Sequence, residues 1–186
     1  MKAFLRDVLT TFLLAAVVYF GLRYTIQDYV VRQSSMEPNF HEGQRVLVNK
    51  VVYKFRAPAR GDVIILHPPQ YPDPKAIPFI KRIIALPGES VDIRNGVVRV
   101  NGVALNETYV KEPPSYTFYL AKVPENEYFV LGDNRDNSDD SHRGWTVPRQ
   151  NLIGKAWLSI WPPGKWGLVS NFNLPLQVGS LANAKN

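Results

Sequence analysis

The sequence predicts a mainly β protein: an antiparallel sheet or partly open barrel with a small β-hairpin insertion, preceded by one N-terminal transmembrane helix. Short runs of β-branched residues alternate with turn residues along most of the chain. The 186 residues include 15 prolines and 12 glycines, which favour short strands joined by turns over long helices. One uncharged apolar segment near the N-terminus departs from this pattern and predicts the helix.

The composition and charge exclude several classes of protein. The chain has no cysteine, so disulfides, thiol catalysis and thiolate metal sites are excluded. No metal-ligand spacing occurs, and we expect no metal and no cofactor. The formal net charge is +6, but lysine and arginine are scattered rather than grouped in a basic arm. This distribution favours attraction to membrane lipid and predicts no nucleic acid partner.

The apolar segment at 8–22 is predicted to be a transmembrane anchor that follows a short tail at 1–7. Its 15 uncharged residues span about 22 Å as a helix. Arg6 and Arg23 bound the segment and can extend their charges to the two interfaces. A cleaved signal peptide would end in a small-x-small site, which is missing here, and a buried soluble helix would have a polar face.

The chain after the anchor divides into a core, an insertion and a tail. We predict a β core at 23–90 and 123–170, an inserted β-ribbon subdomain at 91–122, and a polar, mobile tail at 171–186. Runs of branched and aromatic residues predict core strands at 45–52, 62–66, 79–86, 128–131 and 155–161. In the insertion, Asn95-Gly96 predicts a type I′ hairpin between strands at 91–94 and 97–100.

Lys81 is a candidate general base, because it lies inside an apolar predicted strand. Side chains alternate along a strand, so Lys81 points to the same face as Phe79 and Ile83. Loss of hydration between apolar neighbours lowers the pKa of an ammonium and favours the neutral amine. The alternative is an edge-strand lysine whose amine reaches water. Arg82, on the opposite face, cannot replace it because a guanidinium does not deprotonate in proteins.

Ser35, just past the anchor, is a candidate nucleophile. A serine is a weak nucleophile until a base takes its proton, and a desolvated lysine amine can be that base. A serine before a turn is more often a cap or a loop residue, and Ser34 is an equal candidate on composition alone. If Ser35 and Lys81 meet in space, the chain is a hydrolase that works at a membrane surface.

A polar, turn-forming stretch at 132–144 follows the predicted strand at 128–131. Such a stretch is usually a solvated loop. A calcium-binding loop is excluded, because Arg135 interrupts the ligand spacing and no glycine occupies the sixth position. A triad built from Ser141, His142 and Asp140 is disfavoured, since sequence neighbours rarely converge on one atom.

In content and order, these segments resemble the bacterial type I signal peptidases, which are membrane-anchored Ser-Lys proteases. Ser35-Met36-Glu37-Pro38 is similar to the family's Ser-Met-x-Pro box, and Arg60-Gly61-Asp62-Val63-Ile64 is similar to its Gly-Asp-Val strand box. The run 81–89 resembles the lysine box, and 132–141 resembles the last box. The resemblance extends from the anchor to about Gly167.

The resemblance implies a role for each site residue. Ser35, rather than Ser34, is the nucleophile, and Lys81 is the general base. Ser138 matches the serine that orients the lysine amine, and Asp140 matches an acid that supports the site. The backbone N–H of Ser35 supplies one donor to the oxyanion.

Two positions depart from the family pattern. Some members have a serine two residues before the nucleophile, whose hydroxyl donates to the oxyanion, where this chain has Gln33. Either the Gln33 amide substitutes or that donor is missing. The family usually has arginine directly after the Asp-Ser pair, where this chain has His142. The partner of Asp140 is therefore open between His142 and Arg143.

The resemblance implies a signal peptidase that cleaves N-terminal signal peptides from exported preproteins through a Ser-Lys acyl-enzyme. It implies a single-pass protein of the bacterial cytoplasmic membrane with its catalytic domain on the extracytoplasmic face. The protein export machinery is a further candidate partner. A substrate strand would pair with an exposed edge near Lys81 and place small side chains in shallow apolar pockets. We expect the pocket walls to be Met36, Ile80, Ile83 and Ile84.

Two other functions remain open on the sequence. Another Ser-Lys peptidase, of the self-cleaving repressor type, has a similar catalytic domain but needs a DNA-binding domain, where this chain has a lipid anchor. The second is a non-catalytic, membrane-anchored β module that binds a partner. The presence of both Ser35 and Lys81 argues against it.

Overall fold

The structure, a computed structural model, describes residues 2–71, 73, 75–170 and 172. Its α-helices are α1 (Lys2–Thr25) and α2 (Val52–Phe55). Its strands are β1 (Ile26–Val30), β2 (Arg45–Asn49), β3 (Val63–Leu66), β4 (Phe79–Ala85), β5 (Val91–Arg94), β6 (Val97–Val100), β7 (Val103–Ala104), β8 (Phe118–Leu120), β9 (Glu127–Leu131), β10 (Val147–Pro148), β11 (Leu152–Trp161) and β12 (Gly167–Leu168). Short 3₁₀ turns lie at Ser34–Met36, Ser141–Arg143, Arg149–Asn151 and Pro163–Lys165.

Helix α1 is long and apolar enough to cross a membrane over Ala3–Thr25, and the β domain buries none of that span. It therefore fits a transmembrane anchor. The helix begins before the predicted anchor, because residues 2–7, expected as a tail, are already helical. Arg6 and Asp7 do not interrupt it, since the helix closes its own backbone hydrogen bonds whatever the charge of the side chains. After Thr25 the chain enters β1 directly.

The main sheet is antiparallel throughout. Its strand order is β1-β2-β11-β3-β4-β9-β10, and β12 adds to it by pairing with β11. The long strand β11 shifts register twice against β2 and once against β3, and such irregularities bend a sheet. Strands β1 and β10 lie at opposite ends of the order, so the sheet is open. The predicted mainly β, antiparallel fold is confirmed.

The insertion forms a second sheet in the order β7-β6-β5-β8. Asn95 and Gly96 have φ of 52° and 72°, the left-handed pair that a type I′ hairpin turn requires. The insertion does not protrude freely, because its strands share a core with the main sheet. Ile93 and Val98 from the small sheet pack in one cluster with Phe129 of β9.

The structure differs from the sequence pattern in several elements, among them the short strands β7, β8, β10 and β12, which were not predicted. Strand β2 ends at Asn49, short of the predicted 52, because the Asn49 side chain accepts hydrogen bonds from the backbone N–H groups of Val51 and Val52. These bonds turn the chain into α2. Strand β1 was not predicted. The tail at 171–186 lies outside the described residues except for Phe172, which packs against the core rather than lacking a partner.

Candidate active site

Ser35 lies in a 3₁₀ turn that is held by core packing and by hydrogen bonds from a neighbouring loop. Met36 is fully buried and packs among core residues that include Ile80. The carbonyl oxygen of Ser35 accepts a hydrogen bond of 3.0 Å from the N–H of Asn134. The Asn134 side chain also donates to the carbonyl of Ser34, at 3.1 Å. Ser35 itself is 4% exposed, so its position is set by the core and by the loop at 132–144.

Lys81 lies in β4 and is completely buried. Its Nζ is 5.2 Å from the ring centroid of Phe79, as expected for two residues on one face of a strand. Burial lowers the pKa of Lys81 to about 8, although the charges of Asp140, Asp139 and Asp133 raise it in the opposite direction. The edge-strand alternative is therefore wrong, because the amine does not reach water. A neutral amine is accessible near physiological pH.

Gly132 lies at the junction of the three segments that bear the site residues. Strand β4 pairs with β9 so that Arg82 is opposite Leu131, the residue before Gly132, and the ladder ends there. A Cβ on Gly132 would lie 2.3 Å from Ser138 Oγ and 2.4 Å from the carbonyl oxygen of Ser35. Only glycine allows this approach, which brings Ser138 against the backbone of Ser35.

Three polar atoms at this junction make no hydrogen bond with any described residue: Ser35 Oγ, Lys81 Nζ and Ser138 Oγ. All three are buried. A buried hydroxyl or amine without a partner costs free energy, and such groups in a folded protein call for an explanation. The described residues hold four further atoms of this kind, so these three indicate a site only together with the packing of Ser138 and the Ser35 turn against Gly132.

Asp140 is buried next to this junction and is bound to the loop itself. Its Oδ2 accepts the N–H of Gly132 at 2.8 Å. Its Oδ1 contacts Nδ1 of His142 at 2.7 Å. Arg143 pairs instead with Asp139, at 3.6 Å, on the exposed side of the loop. His142, not Arg143, therefore occupies the position next to Asp140.

Two buried ion pairs near the site were not predicted. Arg82 binds Asp133 through two hydrogen bonds, of 2.8 and 2.7 Å. Arg135 binds Glu107 in the same two-pronged way, at 2.8 and 2.6 Å. Both arginines are at most 1% exposed. The sequence contains one signal for these pairs: Arg82 lies on the face of β4 opposite Lys81. An arginine on that face is either at the surface or paired with an acid.

Gln33 precedes the Ser35 turn in an extended conformation and is exposed. It makes no side-chain capping hydrogen bond to the turn. Its position leaves the amide free to approach a bound substrate, so its role as an oxyanion donor stays a prediction.

The four residues expected to form pocket walls are all buried, but in three different clusters. Met36 and Ile80 share one cluster, Ile83 lies in the second, and Ile84 packs under the inserted sheet in the third. The bulge between Ile83 and Ala85 turns Ile84 toward the insertion. Met36 and Ile80 are thus the two that share a wall, and a substrate role for all four stays a prediction.

The described residues contain no group of three His, Asp or Glu side chains that could hold a metal ion. The chemistry available at the junction is that of a hydroxyl, a buried amine and backbone N–H groups, which together suit acyl transfer.

Residues 4–161 match the family model described as signal peptidase, peptidase S26. The chain belongs to this family. It is 38% identical over 174 residues to a probable signal peptidase I-1 of Synechocystis sp., covering 91% of this chain and 89% of that protein. It is 41% identical over 160 residues to a signal peptidase I of Leptolyngbya laminosa, covering 83% of this chain and 78% of the relative.

A solved signal peptidase I from Enterococcus faecalis V583 is 33% identical, covering 54% of this chain and 97% of that one, with a TM-score of 0.48. In the present chain, the family match at 4–161 includes helix α1 from Phe4 onward and every residue of the junction, from Ser35 to His142.

Proposed function

We propose that the chain is a membrane-anchored signal peptidase in which Ser35 is the nucleophile and Lys81 the general base. It cleaves N-terminal signal peptides from exported preproteins. The single observation that carries the assignment of residues is the burial of Lys81 beside a serine turn, with Ser35 Oγ and Lys81 Nζ making no hydrogen bond to any described residue, each other included. A lysine held in this way can exchange a proton with serine near neutral pH.

Acylation begins when the neutral amine of Lys81 takes the proton of Ser35 Oγ. The oxygen attacks the carbonyl carbon of the scissile peptide bond, and the carbonyl oxygen becomes an oxyanion. In this proposal the backbone N–H of Ser35 donates to the oxyanion. As the C–N bond breaks, the ammonium of Lys81 gives its proton to the leaving amine, and the mature protein departs. The signal peptide remains as an ester on Ser35.

Deacylation repeats these steps with water. Lys81, neutral again, takes a proton from a water molecule, which attacks the ester carbonyl carbon. The bond between this carbon and Ser35 Oγ breaks, and the ammonium returns its proton to the serine oxygen. The signal peptide leaves with a free carboxylate. We propose that Ser138, whose hydroxyl makes no hydrogen bond with the described residues, turns to the amine of Lys81 and orients it through both steps.

The substrate pairs with the first half of β4. Strand β9 pairs with β4 only from Arg82 onward, so among the described residues 79–81 have a ladder partner on the β3 side alone. An extended segment could pair with the open side directly beside Ser35. Alternate side chains would then point toward Met36 and Ile80, where only small residues fit, since both are already buried.

The protein works at the membrane surface, in a bacterial cytoplasmic membrane, with its β domain on the extracytoplasmic face. The domain exposes large apolar side chains close to the end of α1. Lys54 of α2 donates to the Tyr24 hydroxyl of α1 at 2.7 Å, and the neighbouring Phe55 is 85% exposed. Trp157, Trp161 and Trp166 are also exposed. Such aromatic side chains favour the membrane interface, where the lipid and the export machinery deliver the substrate.

Cleavage of a purified preprotein by the full chain in detergent tests this assignment. We expect Ser35→Ala and Lys81→Met each to lower the rate about a thousandfold or more. Ser34→Ala is the matched control, because the Ser34 hydroxyl accepts a hydrogen bond from Asn137 at 3.0 Å on the exposed side of the turn. Full activity in both Ser35→Ala and Lys81→Met would show that the chain acts by another mechanism or only binds its partner.

A further inference from the structure

Asp140 connects His142 to the active-site junction through hydrogen bonds. Asp140 is completely buried. Its Oδ2 accepts the N–H of Gly132 at 2.8 Å, and its Oδ1 lies 2.7 Å from Nδ1 of His142. Because a carboxylate only accepts hydrogen bonds, Nδ1 of His142 is the donor. The backbone N–H of His142 also donates to Oδ1, at 3.2 Å, so His142 holds through two N–H groups the acid that accepts the N–H of Gly132.

The imidazole of His142 is itself held by the inserted subdomain. The ring of Tyr116 stacks on it, with a centroid distance of 4.2 Å and an interplanar angle of 19°. Tyr116 lies between β7 and β8, in the irregular part of the insertion. The histidine side chain is 16% exposed, so it is fixed between the tyrosine ring and the buried carboxylate.

A displacement of Gly132 would reach the reacting groups directly. Gly132 is so close to Ser138 Oγ and to the carbonyl oxygen of Ser35 that a single added carbon would overlap both. Acyl transfer needs its reacting atoms in place to within a fraction of an ångström. The N–H of Gly132, fixed by Asp140, is thus a point at which the geometry of the junction is set.

We propose that His142 is a positioning residue for the Ser35–Lys81 pair. Its imidazole holds Asp140, and Asp140 holds Gly132 against Ser138 and the serine turn. Through Tyr116, the inserted subdomain takes part in the same support. His142 contacts none of the reacting atoms, so it acts on the rate through Asp140 alone. This inference rests on the proposed function of Ser35 and Lys81.

Two substitutions separate the hydrogen bond of His142 from its ring. His142→Phe keeps a flat ring for Tyr116 and the backbone N–H that donates to Asp140, but it has no side-chain N–H for that carboxylate. His142→Asn loses the ring, yet its amide nitrogen occupies nearly the position of Nδ1 and can donate. In preprotein cleavage by the full chain in detergent, we expect His142→Phe to lower kcat about 10- to 100-fold, with KM changed less than about twofold.

We expect His142→Asn to keep kcat within about fivefold of the unchanged protein, because the donor is restored. Arg143→Ala is the matched control: it is the next residue, it pairs only with Asp139 among the described residues, and it should leave kcat unchanged. A kcat for His142→Phe equal to that of the unchanged protein overturns the proposal. So does a higher kcat in His142→Phe than in His142→Asn, since the ring and not the donor would then matter.

Thermal melting of each variant shows whether it folds. If His142→Phe does not fold, Tyr116→Leu decides instead, because it releases the imidazole without removing the donor. Lower kcat with unchanged KM supports the proposal, and an unchanged kcat overturns it. Ser35→Ala is measured in parallel. If Ser35→Ala is active, the proposed function fails; if it is inactive while His142→Phe is fully active, only the role of His142 fails.

Discussion

The backbone carbonyl of Ser35 accepts a hydrogen bond of 3.0 Å from the backbone N–H of Asn134. This bond joins the turn that carries Ser35, the proposed nucleophile, to the loop that carries Ser138 and Asp140. Because it uses backbone atoms, it leaves the Ser35 hydroxyl available for chemistry. The orientation of Ser35 therefore depends on a loop far away in sequence, and changes in that loop should act on the rate.

Gly132→Ala tests how closely the two segments pack. The added methyl carbon would lie 2.3 Å from Ser138 Oγ and 2.4 Å from a backbone oxygen of Ser35, and the backbone oxygen cannot turn away. We expect a loss of kcat of about 100-fold or more, because the reacting groups must move apart. Gly164→Ala is the control: that glycine has open space around it and should keep full activity. Normal cleavage by Gly132→Ala would show that the loop tolerates displacement.

The pH dependence of cleavage should report the buried lysine. The pKa of Lys81 is lowered to about 8, and the base must be neutral, so kcat/KM should rise with pH and level off above about 8. Asp139 raises this pKa through its charge. Asp139→Asn removes that charge, which lowers the pKa of Lys81 further and should move the rise to lower pH. A rise that stays in place or moves to higher pH would contradict the assignment of Lys81 as the base.

Burial of the Lys81 ammonium should also lower the free energy of unfolding. Its pKa falls from 10.5 in the unfolded chain to about 8 in the folded protein, so between about pH 8 and 10.5 the unfolded chain keeps a proton that the folded protein has lost. Stability then rises with pH between about 8 and 10.5. At pH 7 we expect Lys81→Met to increase the free energy of unfolding by on the order of 3 kcal/mol.

The gain from Lys81→Met should shrink as pH rises through that window, because the amine becomes neutral in both states. Chemical unfolding of the full chain in detergent at pH 7 and near pH 10 measures the difference. A gain that is equal at both pH values would mean that packing by methionine, rather than removal of the charge, stabilises the variant.

The sequence predicted most strands because their signals are local. Alternation of branched residues marked the core strands, and Asn95-Gly96 defined its hairpin through left-handed backbone angles. Strand β1 was missed because Gln27 and Asp28 are polar and no turn separates it from α1. It is a strand because β2 pairs with all five of its residues, which only the tertiary structure shows.

The sequence singled out Ser35 and Lys81, whose catalytic roles stay a prediction, but it did not predict the contacts that support them. Strand alternation identified Lys81, and the family pattern separated Ser35 from Ser34. Composition could not distinguish a buried lysine from an edge lysine, since burial depends on strands and loops elsewhere in the chain. The sequence did not show whether His142 or Arg143 lies next to Asp140. In the structure it is His142, whose ring stacks on Tyr116 from the insertion.

The buried ion pair between Glu107 and Arg135 joins the insertion to the loop at 132–144, so its loss should destabilise the fold. Arg135 is buried, donates to both carboxylate oxygens of Glu107 and also donates to the carbonyl of Gly132 at 3.2 Å. Removing one partner of a buried pair leaves the other charge uncompensated. We expect Glu107→Gln to reduce the free energy of unfolding by about 3 kcal/mol.

Glu112→Gln is the matched control for Glu107→Gln. Glu112 lies in the same insertion and faces Lys111 at 3.9 Å, but both side chains are largely exposed. Water already screens such a pair, so its loss should cause no measurable change in unfolding. Adding Arg135→Met to Glu107→Gln should recover part of the lost stability, since the unpaired guanidinium is removed. Equal unfolding curves for Glu107→Gln and Glu112→Gln would show that the buried pair does not hold the insertion to the loop.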